Sequence, residues 1–341
     1  MICPFFNRCG GCHFQDLPFE AYKQKKIDFI KGALTHAGID FPLSDFISIG
    51  AHTRRRTTFA FANGIMGFNA KKSHQIIAID QCLVLLPELE KLIKPLSLLV
   101  HHLSGTGDIA VLMTEFGADI TITSEKQKEK RFHKRIKKSS SEEVFFLEEV
   151  SAFCAQNNVA RFIKDGQLLY LSVQLDFPPN VFMQPSVEGQ NALVDLVLKH
   201  TQDSHKVLDL FCGLGTFTKP LHQAGKRVTG MDITEESIAA LKKHGVMAEV
   251  RDLFRNPVLP DELNQYDTIV LDPARAGAMA EVQQIALSNV KKVVMVSCNP
   301  LTFAKDCRVL IEGGFHFKQI TPVDQFIFSD HIELVALLER A

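Results

Sequence analysis

VLDLFCGLGTF, residues 207–217, is the stretch on which the fold turns. An apolar run with a single interior carboxylate, Asp209, reads as a buried strand. Gly213 and Gly215 directly after it let backbone N–H groups come close to a bound ligand, as in mononucleotide-binding βα turns. The third glycine of GxGxxG is absent, because residue 218 is Thr, so the dinucleotide fingerprint fails. Asp232 follows Asp209 by 23 residues and ends the next strand-like run, where a carboxylate can accept hydrogen bonds from ribose hydroxyls. A βα corner with no ligand is the competing reading of this loop.

Outward from that loop, strand-like and helical segments alternate: KVLDLF, VTGMD, MAEVRD, YDTIVLD, KKVVMVSC, FHFKQITPV and IELVALLE. The rhythm predicts an α/β domain with a doubly wound, mainly parallel sheet. Its fourth strand ends at Asp272 in LDPARAG and its fifth at Cys298 in SCNP. Ligands of open α/β sheets bind beyond the carboxyl ends of the strands, so residues 211–215, Asp232, Asp272 and Cys298 are expected to share one crevice. A cysteine between a strand end and a helix start feels the positive end of the helix dipole, which lowers a thiol pKa and favours the nucleophilic thiolate. The alternative for a thiol following VVMV is packing as a small hydrophobe, the reading given to Cys154, Cys212 and Cys307.

The N-terminal half is less regular: a helix around 18–37, the strand-like runs TTFAFA, HQIIAID, DIAVLMTE, DITITS and LYLSVQLD, and a polar basic loop. It reads as an α+β domain. Consecutive prolines in DFPPN, residues 176–180, mark the hinge, which divides the chain into 1–178 and 179–341. A chain of 341 residues with 46% hydrophobic and 23% charged residues fits a two-domain soluble protein. No apolar run approaches the roughly 18 residues of a membrane span. Nor does the N-terminus carry a basic region followed by an apolar one, so the expected location is cytoplasmic. Net charge of −1 gives no global nucleic-acid signal; Arg54, Arg55 and Arg56, and eight Lys or Arg within residues 126–138, offer local positive surfaces instead.

Four of the eight cysteines form the pattern C-x5-C-x2-C-x69-C: Cys3, Cys9, Cys12 and Cys82, with Gly10 and Gly11 permitting a tight wrap. Four thiolates suit a [4Fe–4S] cluster or zinc. The CxxxCxxC spacing of radical-SAM enzymes does not occur.

FMQPS at 182–186, DLFCGLGTF at 209–217, LDPARAG at 271–277, SCNP at 297–300 and HIE at 331–333 together resemble the RNA (uracil-5-)-methyltransferases, enzymes dependent on S-adenosylmethionine (SAM). RRR at 54–56 and the stretch 66–93 are similar to that family's N-terminal domain, so the likeness spans nearly the whole chain. It implies a class I SAM-dependent methyltransferase domain in which Cys298 is the nucleophile and Glu333 the general base. It further implies that Gln184, Phe211, Gly213, Gly215, Thr216, Asp232, Asp252 and Asp272 line the SAM and uracil site. The spacing of the N-terminal cysteines, including CGGC and QC before an apolar run, is similar to the iron–sulfur site of some members, which favours [4Fe–4S] over zinc. RNA is the implied partner, 23S ribosomal RNA first and transfer RNA second; a non-catalytic RNA-binding or folding factor is the remaining alternative. No obligate protein partner is expected. The chain has Thr216 where relatives often carry Asn, Asp232 where they carry Glu, and FIFS at 326–329 in place of an FPHT-like segment.

Overall fold

The computed structural model describes residues 2–125 and 141–341 and divides the chain into two compact units. One holds residues up to 15 and 51–180; the other holds 16–50 and 181–341. The division at 178/179 placed 16–50 in the first domain, and these residues instead pack into the second. The basic run 126–138 lies outside the described residues.

The first elements of the chain, α1 (Phe19–His36) and the short β1 (Ile47–Ser48), belong to the second unit. One face of α1 explains this placement: Ile30, Ala33 and Leu34 are buried in the same core as Ile269, Leu271 and Phe303. Burial of each such side chain contributes about 1.5–3 kcal/mol, which outweighs proximity in sequence.

The first unit is built on β2 (Arg56–Ala62), β3 (Ile65–Asn69), β4 (Ile76–Ala78), β5 (Thr106–Thr114), β6 (Gly117–Ser124), β7 (Val159–Lys164) and β8 (Gln167–Leu171). They form a seven-stranded sheet in the order β4-β3-β2-β5-β6-β7-β8, antiparallel except for the β6–β7 pair. Helices α2 (Pro87–Lys91), α3 (Ile93–Val100) and α4 (Ser141–Gln156) supply Leu89, Ile93, Leu96 and Phe153 to the core against Phe59, Phe61, Ile109 and Ile120. In β2 the burial alternates, with Thr57, Phe59 and Phe61 inward, the period-2 signature of a sheet packed on one face.

The second unit continues with α5 (Val187–His200), β9 (Lys206–Leu210), α6 (Thr218–Gln223), β10 (Arg227–Asp232), α7 (Glu235–Lys243) and β11 (Met247–Val250). It ends with α8 (Pro260–Leu263), β12 (Thr268–Leu271), α9 (Met279–Leu287), β13 (Lys292–Ser297), α10 (Pro300–Glu312), β14 (His316–Asp324) and β15 (Glu333–Glu339). Eight strands align as β1-β14-β15-β13-β12-β9-β10-β11, and β15 alone runs against the others. The mainly parallel, doubly wound expectation therefore describes the observed sheet. β12 and β13 are buried along nearly their full length, as helices on both faces require. Because β15 is antiparallel, its first residue, Glu333, lies at the same edge as the last residues of β9, β12 and β13. Among the described residues no helix is long and apolar enough to cross a membrane.

Candidate active site

Cys298 follows the last residue of β13 and precedes α10, whose first turn explains the SCNP string. Asn299 caps the helix by accepting from the Leu301 N–H at 3.1 Å, and Pro300 occupies the position that needs no N–H donor. Asn299 Nδ2 and Thr302 Oγ1 both donate to the Arg275 carbonyl, at 3.1 and 3.2 Å, so SCNP and LDPAR are tied together. On the other side of that loop, Asp306 of α10 accepts from the Ala278 N–H at 2.7 Å. Gly277 beside it has φ +83°, and a Cβ there would stand 2.6 Å from Asp306 Oδ2, so this turn requires glycine.

The half-buried Cys298 thiol lies in the field of Glu333, Arg275 and Asp272. Burial, with the Glu333 and Asp272 carboxylates, pushes it up to about 11 against the opposing pull of Arg275. This reverses the expected lowering: desolvation of the half-buried thiol, with the nearby carboxylates, outweighs the partial charge of the helix end. Glu333, 4% exposed, is pushed up to about 8 by burial and by Asp272, while Gln325 and Arg275 pull it down. Burial alone raises Asp272 to about 7. Asp272 thus opposes ionisation of both Glu333 and Cys298, and Glu333 opposes that of Cys298.

The loop after β9 carries three residues with positive φ, Phe211 at +63°, Gly213 at +52° and Gly215 at +83°. For Phe211 this is a sparsely populated conformation that the surrounding structure must hold. A Cβ on Gly215 would meet Leu241 Cδ2 at 2.3 Å, whereas one on Gly213 would meet nothing within 4 Å. Gly215 is thus required by packing, whereas Gly213 faces open space. Asp232 closes the loop by accepting from the Gly213 N–H at 3.0 Å and the Thr234 N–H at 2.9 Å. Thr216 is half-buried where the loop enters α6. Asp252 organises the turn after β11 by accepting from the N–H groups of Phe254 and Arg255, and Phe254 packs against Phe211 with ring centroids 5.3 Å apart. Asp209, in the middle of this constellation, is fully buried and raised to about 7 by desolvation, with the Thr218 hydroxyl donating to it.

Gln184 is 3% exposed and accepts from Gln325 Nε2 at 2.8 Å. The structure therefore brings Gln184, Asp272, Cys298 and Glu333 together with Arg275 and Gln325, two residues that sequence reasoning had not singled out. Arg275 sits in the quoted DPAR string, but Gln325 carried no signal of its own.

Chains of this construction are known. Residues 243–341 match the family model of tRNA (Uracil-5-)-methyltransferase. An RNA methyltransferase of Brucella suis is 33% identical across 99% of this chain and 84% of that protein. The chain belongs to the RNA (uracil-5-)-methyltransferase family. Another relative in the family, the 23S rRNA (uracil-C5)-methyltransferase of Shewanella woodyi, is 28% identical across 99% of this chain and 81% of that protein. The Pyrococcus abyssi tRNA (uracil-54, C5)-methyltransferase, solved with S-adenosyl-L-homocysteine, has the same fold: TM-score 0.70, 22% identity, 96% of this chain and 85% of that one. As a uracil-5-methyltransferase the chain is an enzyme of the methyl-transferring class.

In the first unit, Cys3, Cys9, Cys12 and Cys82 are free thiols lining one cavity of about 290 Å³. Among the described residues no group of three or more His, Cys, Asp or Glu side chains stands at metal-holding spacing. Burial and the neighbouring thiols raise Cys12 to about 11 and Cys82 to about 12. The Gly11 N–H donates to Cys9 Sγ at 3.4 Å, and backbone donors from Val84 and Leu85 face the Cys82 sulfur. Arg54 lines this cavity beside Cys12 and Cys82.

Proposed function

We propose that this enzyme methylates C5 of a specific uridine in RNA, with 23S ribosomal RNA as its substrate, through a covalent bond between Cys298 and C6 of the base. The observation that carries the reading is the gathering of Cys298, Glu333, Asp272 and Arg275 at one edge of the parallel sheet, with Cys298 and Glu333 both in the field of Asp272 and Arg275. The residues of the β9 loop fit SAM: the open space over Gly213, the Asp232 carboxylate at the end of β10, and the exposed apolar side chains of Ile233 and Phe254. Gln184, Phe211, Thr216, Asp252 and Asp272 complete that proposed site. Bound SAM supplies an electrophilic methyl group.

Uracil C5 alone is a poor nucleophile. The Cys298 thiolate donates its electron pair to C6, and the C5=C6 electrons shift to C5 and O4 as an enolate, which makes C5 reactive toward the methyl group. Once C5 is methylated, Glu333 takes its proton; the C–H pair re-forms C5=C6, and the C6–S pair returns to Cys298 as thiolate. Arg275, whose positive charge acts on the thiol, offsets the carboxylates and favours the thiolate. A base value near 8 for Glu333 suits a group that must accept a proton near neutral pH.

The Shewanella relative supports ribosomal RNA; the family model's description favours tRNA as the second reading. The base must leave its stack to reach Cys298, and Arg55, Arg56 and the 126–138 run are the proposed RNA-holding groups. Cytoplasmic location accords with that substrate. Nucleoside mass spectrometry of 23S and transfer RNA incubated with enzyme and SAM tests the proposal. 5-Methyluridine in 23S RNA with wild type and none with Cys298→Ala is expected; unchanged methylation by the variant rejects the mechanism, and methylation confined to tRNA rejects the substrate.

The four N-terminal cysteines are proposed ligands of a [4Fe–4S] cluster. Four unpaired thiols around one cavity whose lining contains no carboxylate are a soft donor set, and N–H groups aimed at the sulfurs are a common feature of iron–sulfur sites. Anaerobically purified protein is expected to contain iron and acid-labile sulfide; zinc alone would reject the cluster.

A further inference from the structure

We infer that Gln325 is a positioning residue for the proton-removing step: its amide nitrogen bridges Gln184 and Glu333 and holds the Glu333 carboxylate ready to receive the C5 proton. The inference rests on the reading of Glu333 as the base and deepens it.

Gln325 Nε2 donates to Gln184 Oε1 at 2.8 Å and to Glu333 Oε1 at 3.2 Å. All three side chains are at least 95% removed from solvent, with exposures of 4, 3 and 4%. In so dry a setting an ionised carboxylate needs N–H donors, and Gln325 is the neutral donor that faces it. The other groups facing Glu333 are charged or ionisable: Asp272 at the end of β12, Arg275 in the loop beyond it and Cys298 at the end of β13. Asp272 opposes its ionisation, Arg275 favours it, and the amide acts in the same direction as the arginine.

Neighbouring elements shape the position of the amide. A Cβ on Gly189, in the first turn of α5, would stand 2.4 Å from Gln325 Oε1, so a glycine there leaves the amide its space. Behind it, the preceding residue, Asp324, is fully buried and bonded to Tyr22 and Lys26 of α1, and Lys26 Nζ also donates to the Phe326 and His331 carbonyls at 3.2 and 2.7 Å. Helix α1 thereby pins the loop between β14 and β15 on both sides of its FIFS segment, and Gln325 and Glu333 stand at the two ends of that pinned loop.

The test uses the full-length enzyme, SAM and total RNA from a strain lacking this protein, grown with and without 5-fluorouracil. Fluorine at C5 permits attack by sulfur and methyl transfer but leaves no proton to remove, so the covalent adduct persists. For Gln325→Met, loss of a hydrogen bond to a charged group is expected to move the alkaline-rising limb of the turnover–pH profile up by about one unit and to lower turnover at neutral pH by about tenfold. The shape-conserving Gln325→Glu, which adds a carboxylate, is expected to move it further. Both variants should trap fluorinated RNA at the wild-type rate. An unmoved profile overturns the inference, as does trapping that slows in step with turnover, since that would mark Gln325 as general packing. Should Gln325→Met fail to fold, the profile of Gln325→Glu decides. Wild-type enzyme that methylates yet traps nothing would instead contradict the covalent role of Cys298, and the two failures are thereby told apart.

Discussion

Two groups of cysteines in this chain have thiol pKa values raised chiefly by burial, but stand among different neighbours. Cys298 stands among carboxylates and an arginine, groups that can take, give or steady a proton. Cys9, Cys12 and Cys82 are raised by burial and by one another, with Arg54 as the charged neighbour. In the proposed mechanism the first environment provides a base beside a nucleophile. Under the proposed cluster, the second provides thiols that lose their protons together when a cation arrives, because a cation compensates the negative sulfurs in one cavity. A raised thiol pKa therefore identifies no chemistry by itself; the neighbours that raise it do.

The sharpest way to break this contrast is to remove one sulfur from each group. Cys298→Ala is expected to lower methylation by at least about 10³-fold while iron content stays at the wild-type level. Cys82→Ser should do the reverse to the metal, abolishing iron binding and its visible absorption. Loss of iron in Cys298→Ala would merge the two groups and defeat the distinction. Next in size, Glu333→Gln should reduce turnover by about 10²–10⁴-fold, with covalent RNA adduct accumulating on natural uridine. The pH dependence follows from the same carboxyl. Glu333 acts as a base only when ionised, and its value is raised to about 8, so wild-type turnover should climb from pH 6 through about 8, and Glu333→Gln should lose that part of the climb.

Smaller effects sharpen the picture of what holds the catalytic side in place. Lys26→Met leaves Asp324 buried without its cation, at a cost of about 3–5 kcal/mol that denaturant unfolding would detect. Smallest of all, replacing Arg55 and Arg56 by Gln should weaken RNA binding and flatten its dependence on salt by about one unit of slope per lost phosphate contact. An unaltered slope would remove these arginines from the RNA surface.

Much of the catalytic unit is legible in sequence because its strands are buried on both faces and read as continuous apolar runs, as in β12 and β13. Asp232, Asp272 and Cys298 are legible for a related reason: each is a reactive side chain directly at the end of such a run. Other features depend on partners distant in the chain. Nothing in the pattern of α1 says which sheet its Ile30 and Leu34 face, so residues 16–50 were assigned to the wrong unit. Arg54 reads as part of a basic triplet until its burial beside Cys12 and Cys82 is seen. Gln325 is an ordinary polar residue in a loop, and its role arises from Gln184, 141 positions earlier. The sign of the Cys298 shift escaped for the same reason, since the burial that chiefly raises it, and the Glu333 and Asp272 carboxylates that add to it, arise only in the folded sheet.

The central claim is that the sulfur of Cys298 bonds to the target base during methyl transfer. Its most direct test is peptide mass spectrometry of the wild-type enzyme after reaction with SAM and 5-fluorouridine-containing RNA. The account predicts a methylated fluorouridine nucleotide attached to the peptide that contains Cys298. Attachment at another cysteine, or an unmodified Cys298 peptide from enzyme that methylates normal RNA, would contradict it.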